Sequence, residues 1–197
     1  MTRLLAFFAI IATVFIAVDA SAGVRYCQAK KVSDEYDRLY RAAVHKYYPL
    51  RFNTKREWCY VKAQAVVESG QNTDAVSPVG AAGVLQLTPG TLKEMAAQYG
   101  MNPRAHNAHI NVQLGVAYMA KLFKFWFVDR TKQCHRRVTQ ASYNAGPVNI
   151  LKAQVVADGA PCWDEIGPAL PDVTGRHAKE TQDYIKRIEQ IYGKLTK

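Results

Sequence analysis

Acidic residues are scarce in this chain. Asp and Glu together number 16 against 26 Lys and Arg, and with histidine counted neutral the formal charge is +10. Such a field excludes a cationic partner and favours an anionic one: nucleic acid, a membrane surface or the acidic cell envelope. Long alternating runs of β-branched residues are missing, which excludes a substantial sheet. There is no internal repeat and no low-complexity tract, so a solenoid or a disordered chain is not expected. No pair of cysteines stands in a CxxC and none has a histidine at zinc-ligand spacing, so no metal or cofactor is expected.

Leu4 through Val18 is an apolar stretch of fifteen residues without a charge, shorter than the roughly 20 needed to cross a bilayer core. Arg3 precedes it and Ala20-Ser21-Ala22 follows it. A basic start, an apolar stretch and an A-x-A-like exit describe a secretory signal peptide over residues 1–22, cleaved after Ala20 or Ala22. The alternative is an uncleaved membrane anchor. Removing residues 1–20 takes away Arg3 and Asp19 together and leaves the charge at +10. Export to the periplasm or cell envelope makes nucleic acid an unexpected partner.

All four cysteines, Cys27, Cys59, Cys134 and Cys162, lie beyond the leader. An even number in an exported chain suggests disulfides. Three connectivities exist; Cys27–Cys59 with Cys134–Cys162 is preferred, because each bond would tie a peripheral segment to a neighbouring helix.

The rest reads as helices between polar loops. Ser33 can cap a helix running to about Lys46, ended by Pro49. Thr54-Lys55-Arg56-Glu57 has the form of a capping box, opening a helix that carries Val61, Ala65 and Val66 and stops near Ser69-Gly70. Residues 70–84 are turn-rich. Thr88-Pro89 restarts a helix closing at Gly100. Further helices are expected over 110–129, 136–144, 147–157 and 178–194, with 158–177 irregular. The fold class is therefore all-α, with an N-terminal helical extension over 23–54 and the main domain over 55–197.

The informative segment joins Glu68-Ser69-Gly70 to Ser77-Pro78-Val79-Gly80-Ala81-Ala82-Gly83-Val84-Leu85-Gln86-Leu87-Thr88-Pro89. The apolar helix end at Ala65, Val66 and Val67 can desolvate Glu68 and favour its neutral form, which suits a proton donor near neutral pH. Gln86 offers donors and an acceptor for sugar hydroxyls or acetamides. Taken alone, a glutamate near a helix end is more often a solvated surface residue.

Four blocks in order raise that reading. The glutamate segment resembles the signature of the soluble lytic transglycosylase family, a goose-lysozyme-like group: Glu-Ser, then Ser-x-x-Gly-Ala-x-Gly-Leu-Met-Gln and a nearby Pro. Asn111 to Tyr118 is similar to its Asn-x-x-x-Gly-x-x-Tyr helix. Ser142-Tyr143-Asn144-Ala145-Gly146 resembles its Ala-Tyr-Asn-Ala-Gly, and Glu180-Thr181-Gln182-Asp183-Tyr184-Ile185 its Glu-Thr-x-x-Tyr-Val. The resemblance covers residues 55–192. Val84-Leu85 replaces the usual Leu-Met, so a thioether able to pack on a sugar ring is absent.

The resemblance implies a lysozyme-like helical domain with a substrate groove for peptidoglycan glycan strands. It implies one acid/base, Glu68, cutting the β-1,4 bond between N-acetylmuramic acid and N-acetylglucosamine and leaving a 1,6-anhydro end. Tyr143 is implied to hydrogen-bond the carboxyl, Ser77 and Gln86 to hold acetamide and sugar, Asn144 to hold the loop or a hydroxyl, and Tyr184 to line the groove. Core packing or capping competes with these roles for Tyr184 and Asn111. Phe123, Phe125, Trp126 and Phe127 have core spacing, Trp163 is the better stacking candidate, and His135-Arg136-Arg137 reads as a solvated basic turn.

The rivals are a goose-type hydrolase, for which Asp74 is the nearest second carboxylate, and an inactive peptidoglycan-binding assembly protein. A monomer is expected. Wall turnover, division, phage action and secretion or conjugation machinery all employ such a cut, and the sequence does not choose among them.

Overall fold

The computed structural model describes residues 27–52, 54, 56–127 and 130–197; the expected leader lies outside them. The described residues form nine α-helices and no strand: α1 (Asp37–Tyr47), α2 (Glu57–Ser69), α3 (Pro89–Tyr99), α4 (Ala108–Phe125), α5 (Lys132–Ala145), α6 (Pro147–Val156), α7 (Trp163–Ala169), α8 (Pro171–Thr174) and α9 (Ala178–Leu195), with 3₁₀ turns at Leu50–Phe52 and Gly175–His177. No described helix is long and apolar enough to cross a membrane.

Helix α2 is the axis of the assembly. Its Trp58, Val61 and Ala65 enter a core shared with Tyr40 and Val44 of α1 and Val116 and Phe123 of α4. Its Ala63 and Val67 meet a second core built from Val138, Ile150, Ile166, Ile185 and Ile188. Apolar groups are thus needed on most of its circumference, which is why α2 lacks a clear polar face. A third, smaller core joins Leu92 and Met95 of α3 to Leu114 and Ala117 of α4.

Several helix starts follow from side-chain caps. Thr88 accepts from Thr91 N, Asn107 from Ile110 N and Thr131 from Cys134 N. Two expected caps do not form. Ser33 Oγ accepts from Glu35 N, and α1 begins only at Asp37. No side chain caps α2, because the Glu57 carboxylate takes a two-pronged bond from Arg136 instead, at 2.7 and 2.9 Å. The expected irregular segment 158–177 contains α7, α8 and a 3₁₀ turn; of its three prolines Pro171 opens α8, Pro168 lies inside α7 and Pro161 precedes that helix.

Both preferred disulfides are present. Cys27 is joined to Cys59 of α2, and Cys134 of α5 to Cys162 at the start of α7. The first works with a buried ion cluster. Lys62 of α2 is completely buried and meets Asp34 at 2.5 Å, Asp37 at 2.8 Å and the carbonyl of Cys27 at 3.0 Å. The N-terminal segment is thereby fastened to the helix that ends in Glu68.

Removing one member of a buried ion cluster strands the others. Lys62→Met is expected to destabilise the protein by about 3 kcal/mol in urea unfolding, and Asp37→Leu in that background to restore part of the loss.

Candidate active site

Glu68 stands in the last turn of α2. Gly70, at φ +64°, ends the helix, with its N–H on Val66 O and the N–H of Gln71 on Ala65 O. Only a residue free to enter the left-handed region closes a helix in this way. The chain then loops out and returns as a tight turn beneath the carboxyl.

The later sequence blocks hold that loop. Ser69 Oγ donates to Val84 O at 2.8 Å and accepts from Asn72 N. Asn111 of α4, fully buried, donates to Ala82 O at 2.9 Å and accepts from Leu85 N at 2.7 Å. Gly83 lies so close that a Cβ there would stand 2.2 Å from Ala105 O and 2.4 Å from Asn111 Nδ2. Four residues along α4, a Cβ on Gly115 would strike Leu85 at 2.6 Å. Leu85 is therefore buried against α4 and does not line the groove, so the missing thioether falls on packing rather than on a sugar-facing surface.

A groove of about 310 Å³ opens above this loop. Glu68, Ser77, Gln86, Tyr143, Asn144 and Tyr184 all line it, together with Val67, Val79, Thr88, Glu180 and Arg187. Every site residue expected from the sequence is thus brought to one place, but the bonds differ. Tyr184 of α9, not Tyr143, donates to Glu68 Oε1, at 2.5 Å. Tyr143 donates to Leu85 O at 2.7 Å, and its ring rests on Tyr118, which makes it a wall and a loop anchor. Asn144 accepts from Thr181 Oγ1 at 2.7 Å, tying α5 to α9.

Ser77 and Gln86 are half committed to the loop. Ser77 Oγ accepts from Ala81 N, which leaves its own O–H to donate. Gln86, at φ +44°, gives its amide protons to Ala75 O and Gly83 O, so its carbonyl oxygen is the part left for a ligand N–H.

Burial pushes Glu68 up to about 7. The Tyr184 hydrogen bond and the charge of Arg187 pull it down, and Glu180 pushes it up. Near neutral pH both protonation states are then populated, as a group that first gives and later takes a proton requires.

Three other expectations are corrected. Trp163 is buried in the second core and cannot serve as an open stacking platform. Phe123 and Trp126 are core, with Trp126 Nε1 donating to Ser142 Oγ at 2.7 Å, whereas Phe125 and Phe127 are exposed. His135, Arg136 and Arg137 lie within α5 and are all engaged: His135 with Phe123 O, Arg136 with Glu57, Arg137 with Glu189 and Asp164. Asp74 is exposed outside the groove, and the second carboxylate lining it is Glu180. Arg187 was not singled out by the sequence, although its i+3 spacing from Tyr184 puts both on one face of α9. Among the described residues no cluster of side chains could hold a metal ion.

The family model described as the transglycosylase SLT domain matches residues 53–163. The curated membrane-bound lytic murein transglycosylase F of Pasteurella multocida is 29% identical over 60% of this chain and 24% of its own length. That of Pseudoalteromonas translucida is 27% identical over 71% and 32%. The chain thus spans between about a quarter and a third of these relatives. Among solved structures, the 70 kDa soluble lytic transglycosylase of Escherichia coli superposes with a TM-score of 0.63 at 20% identity, over 83% of this chain and 24% of that one. An inactive glutamate-to-glutamine mutant of the Pseudomonas aeruginosa lytic transglycosylase Slt gives 0.63 at 22%. The fold is accordingly the all-helical, lysozyme-like one that the sequence led us to expect.

A carboxyl held above its ordinary 4.5 in the fold costs stability once it ionises. Stability from this group therefore falls as pH rises from about 4.5 to about 7 and stays lowered above. Glu68→Gln is expected to be more stable than the native protein at pH 8, on the order of 2 kcal/mol, with the difference vanishing below the ordinary carboxyl value. Thermal melts across that range check it.

Proposed function

The chain belongs to the transglycosylase SLT domain family, and on that premise we propose that it is an exported lytic transglycosylase cutting the glycan strands of peptidoglycan. The observation that carries this reading is a tyrosine-bonded glutamate, its carboxyl desolvated and held near neutrality, lining a groove with Ser77, Gln86 and Asn144. The relatives' names point to the same substrate, as does a complex of a 70 kDa soluble lytic transglycosylase with bulgecin A, which superposes at a TM-score of 0.58. The two disulfides fit an oxidising compartment outside the cytoplasm.

In this reading the protonated Glu68 gives its proton to the glycosidic oxygen as the bond to the muramoyl anomeric carbon breaks. The resulting carboxylate then takes the proton of the muramoyl 6-hydroxyl while that oxygen closes on the anomeric carbon. No water is consumed, and the tethered hydroxyl supplies the high effective concentration that a positioned water would otherwise need. In this reading the Gln86 carbonyl and the Ser77 hydroxyl orient the acetamide, whose oxygen can stabilise the positive centre. That disposition removes the need for a second carboxylate.

One observation favours the hydrolase rival: Glu180 also lines the groove. Product chemistry separates the two readings. Muropeptides released from sacculi by the protein are expected to be one water lighter than hydrolysis products, and Glu68→Gln to release essentially none. Reducing ends that disappear with Glu180→Gln would instead assign a hydrolase. Tyr184→Phe removes a bond that favours the carboxylate, so the upper limb of its pH–rate profile is expected to move to higher pH. A limb that stays in place or moves down would show that the bond does not govern this titration.

A further inference from the structure

The end of the molecule opposite the groove is apolar and cationic at once. Leu50, Phe125 and Phe127 are 92%, 51% and 83% exposed. Scattered singly such residues are ordinary, but these three share one end of the fold. Phe52 stacks on Phe123 at 4.3 Å, and Arg51 donates to the carbonyl of Arg130 at 2.5 Å. The 3₁₀ turn Leu50–Phe52 is thereby pinned across the end of α4, where Phe125 is the last helical residue and Phe127 follows.

The charge here is almost all of one sign. Residues 45–56 contain Lys46, Arg51, Lys55 and Arg56 and no acid, and residues 119–134 set Lys121, Lys124, Arg130 and Lys132 against Asp129 alone. Lys121 is matched by Glu94, and Glu57, the next acid after Arg56, is taken by Arg136. Lys124 and Lys132 stand exposed. Arg130 lies over the Trp126 ring at 4.9 Å, with its buried Nε and Nη1 lacking a hydrogen-bond partner among the described residues.

Exposed aliphatic and aromatic groups among cations fit the boundary of an anionic bilayer, where apolar side chains enter the acyl region and Lys or Arg meets phosphate. An anionic wall polymer would satisfy the cations and leave the three apolar side chains in water. The chain also enters the described fold at this end. Cys27 is bonded to Cys59 in the first turn of α2, and the 26 residues before it include the apolar stretch Leu4 to Val18. The groove lies at the other end. Glu68 stands about 14 Å along α2 from Cys59, and Asn111, which holds the groove floor, about 21 Å along α4 from Phe125.

We propose that this end is a docking surface for an anionic lipid bilayer, with Leu50, Phe125 and Phe127 entering the interface and Lys124 and Lys132 meeting lipid phosphates. The groove then opens away from the lipid, toward the wall. The proposal does not rest on the chemistry at Glu68: its signature is lipid contact, which a protein inactive on sacculi still gives.

The test uses Leu50→Trp in the exported chain and vesicles whose acyl chains carry bromine, a contact quencher of tryptophan emission. The native emission is subtracted, Trp58, Trp126 and Trp163 being buried. The signal reports residue 50 itself, with or without a retained leader. Quenching at equal lipid is expected to be roughly threefold stronger on phosphatidylglycerol–phosphatidylethanolamine vesicles than on phosphatidylcholine vesicles. Val79→Trp, an exposed position on the groove, is expected to show almost none. In the Leu50→Trp protein, Phe127→Ser is expected to weaken the quenching, and Lys124→Gln with Lys132→Gln to remove most of the difference between the lipids. Lys93→Gln with Lys152→Gln, the same loss of charge at exposed positions of α3 and α6, is expected to keep that difference. Absence of quenching at residue 50 would overturn the proposal, as would equal quenching at residue 79. So would an equal fall with Lys93→Gln and Lys152→Gln, which would assign the contact to overall charge.

Discussion

The burial of one carboxyl between α2 and α9 is the constraint from which the rest of this structure follows. Glu68 would be more comfortable in water, and its raised pKa records that cost. The cost is offset by the packing of the two helices that enclose it, with Val67 of α2 and Ile185 and Ile188 of α9 in one apolar cluster, and by the hydroxyl of Tyr184. A residue 116 positions away in sequence thus completes the environment of the glutamate. The family-model match ends at residue 163, before α9 begins, so the helix that supplies this bond lies beyond the matched span.

The groove floor needs the opposite property, a backbone that cannot drift. Asn111 satisfies both a carbonyl and an amide of the Gly83 turn from within α4, and the bare edges of Gly83 and Gly115 let that helix approach. A backbone segment buried without such a partner would carry unpaired polar groups. Ser69, Ser77 and Gln86 spend part of their hydrogen-bonding capacity on the same turn, which pre-organises what remains of it toward a ligand. Farther out, the Cys27–Cys59 disulfide, the Lys62 cluster and the Arg136 fork fasten the N-terminal segment and α5 to α2, while Cys134–Cys162 ties α5 to the start of α7 and the Arg137 fork ties it to α9. Stability sits in these ties, and the site spends some of it on Glu68.

Much of this was legible before the fold was known, where the signal is local. Gly70 and Gly100 mark helix ends because their backbone conformation is set within a few residues. The reading failed where a side chain had a stronger partner elsewhere. Glu57 left its expected cap for Arg136, His135-Arg136-Arg137 proved to be internal ties, and Trp163 was drawn into the core of its own short helix and its neighbours. In each case a local preference worth about 1 kcal/mol lost to a buried charge pair or to a large apolar area.

The sequence by itself determined the helical class, the helix ends marked by Gly70 and Gly100, and that Glu68, Ser77, Gln86, Tyr143, Asn144 and Tyr184 share a groove, because periodicity, glycine stops and ordered motifs are carried by neighbours along the chain. Only the tertiary structure decided what each of those residues does there. Tyr143 and Tyr184 are equivalent as residue types, and nothing local assigns one of them to Leu85 O and the other to Glu68. That choice depends on how α5 and α9 pack against α2, and a hydrogen bond between distant residues exists only after that packing has set their separation.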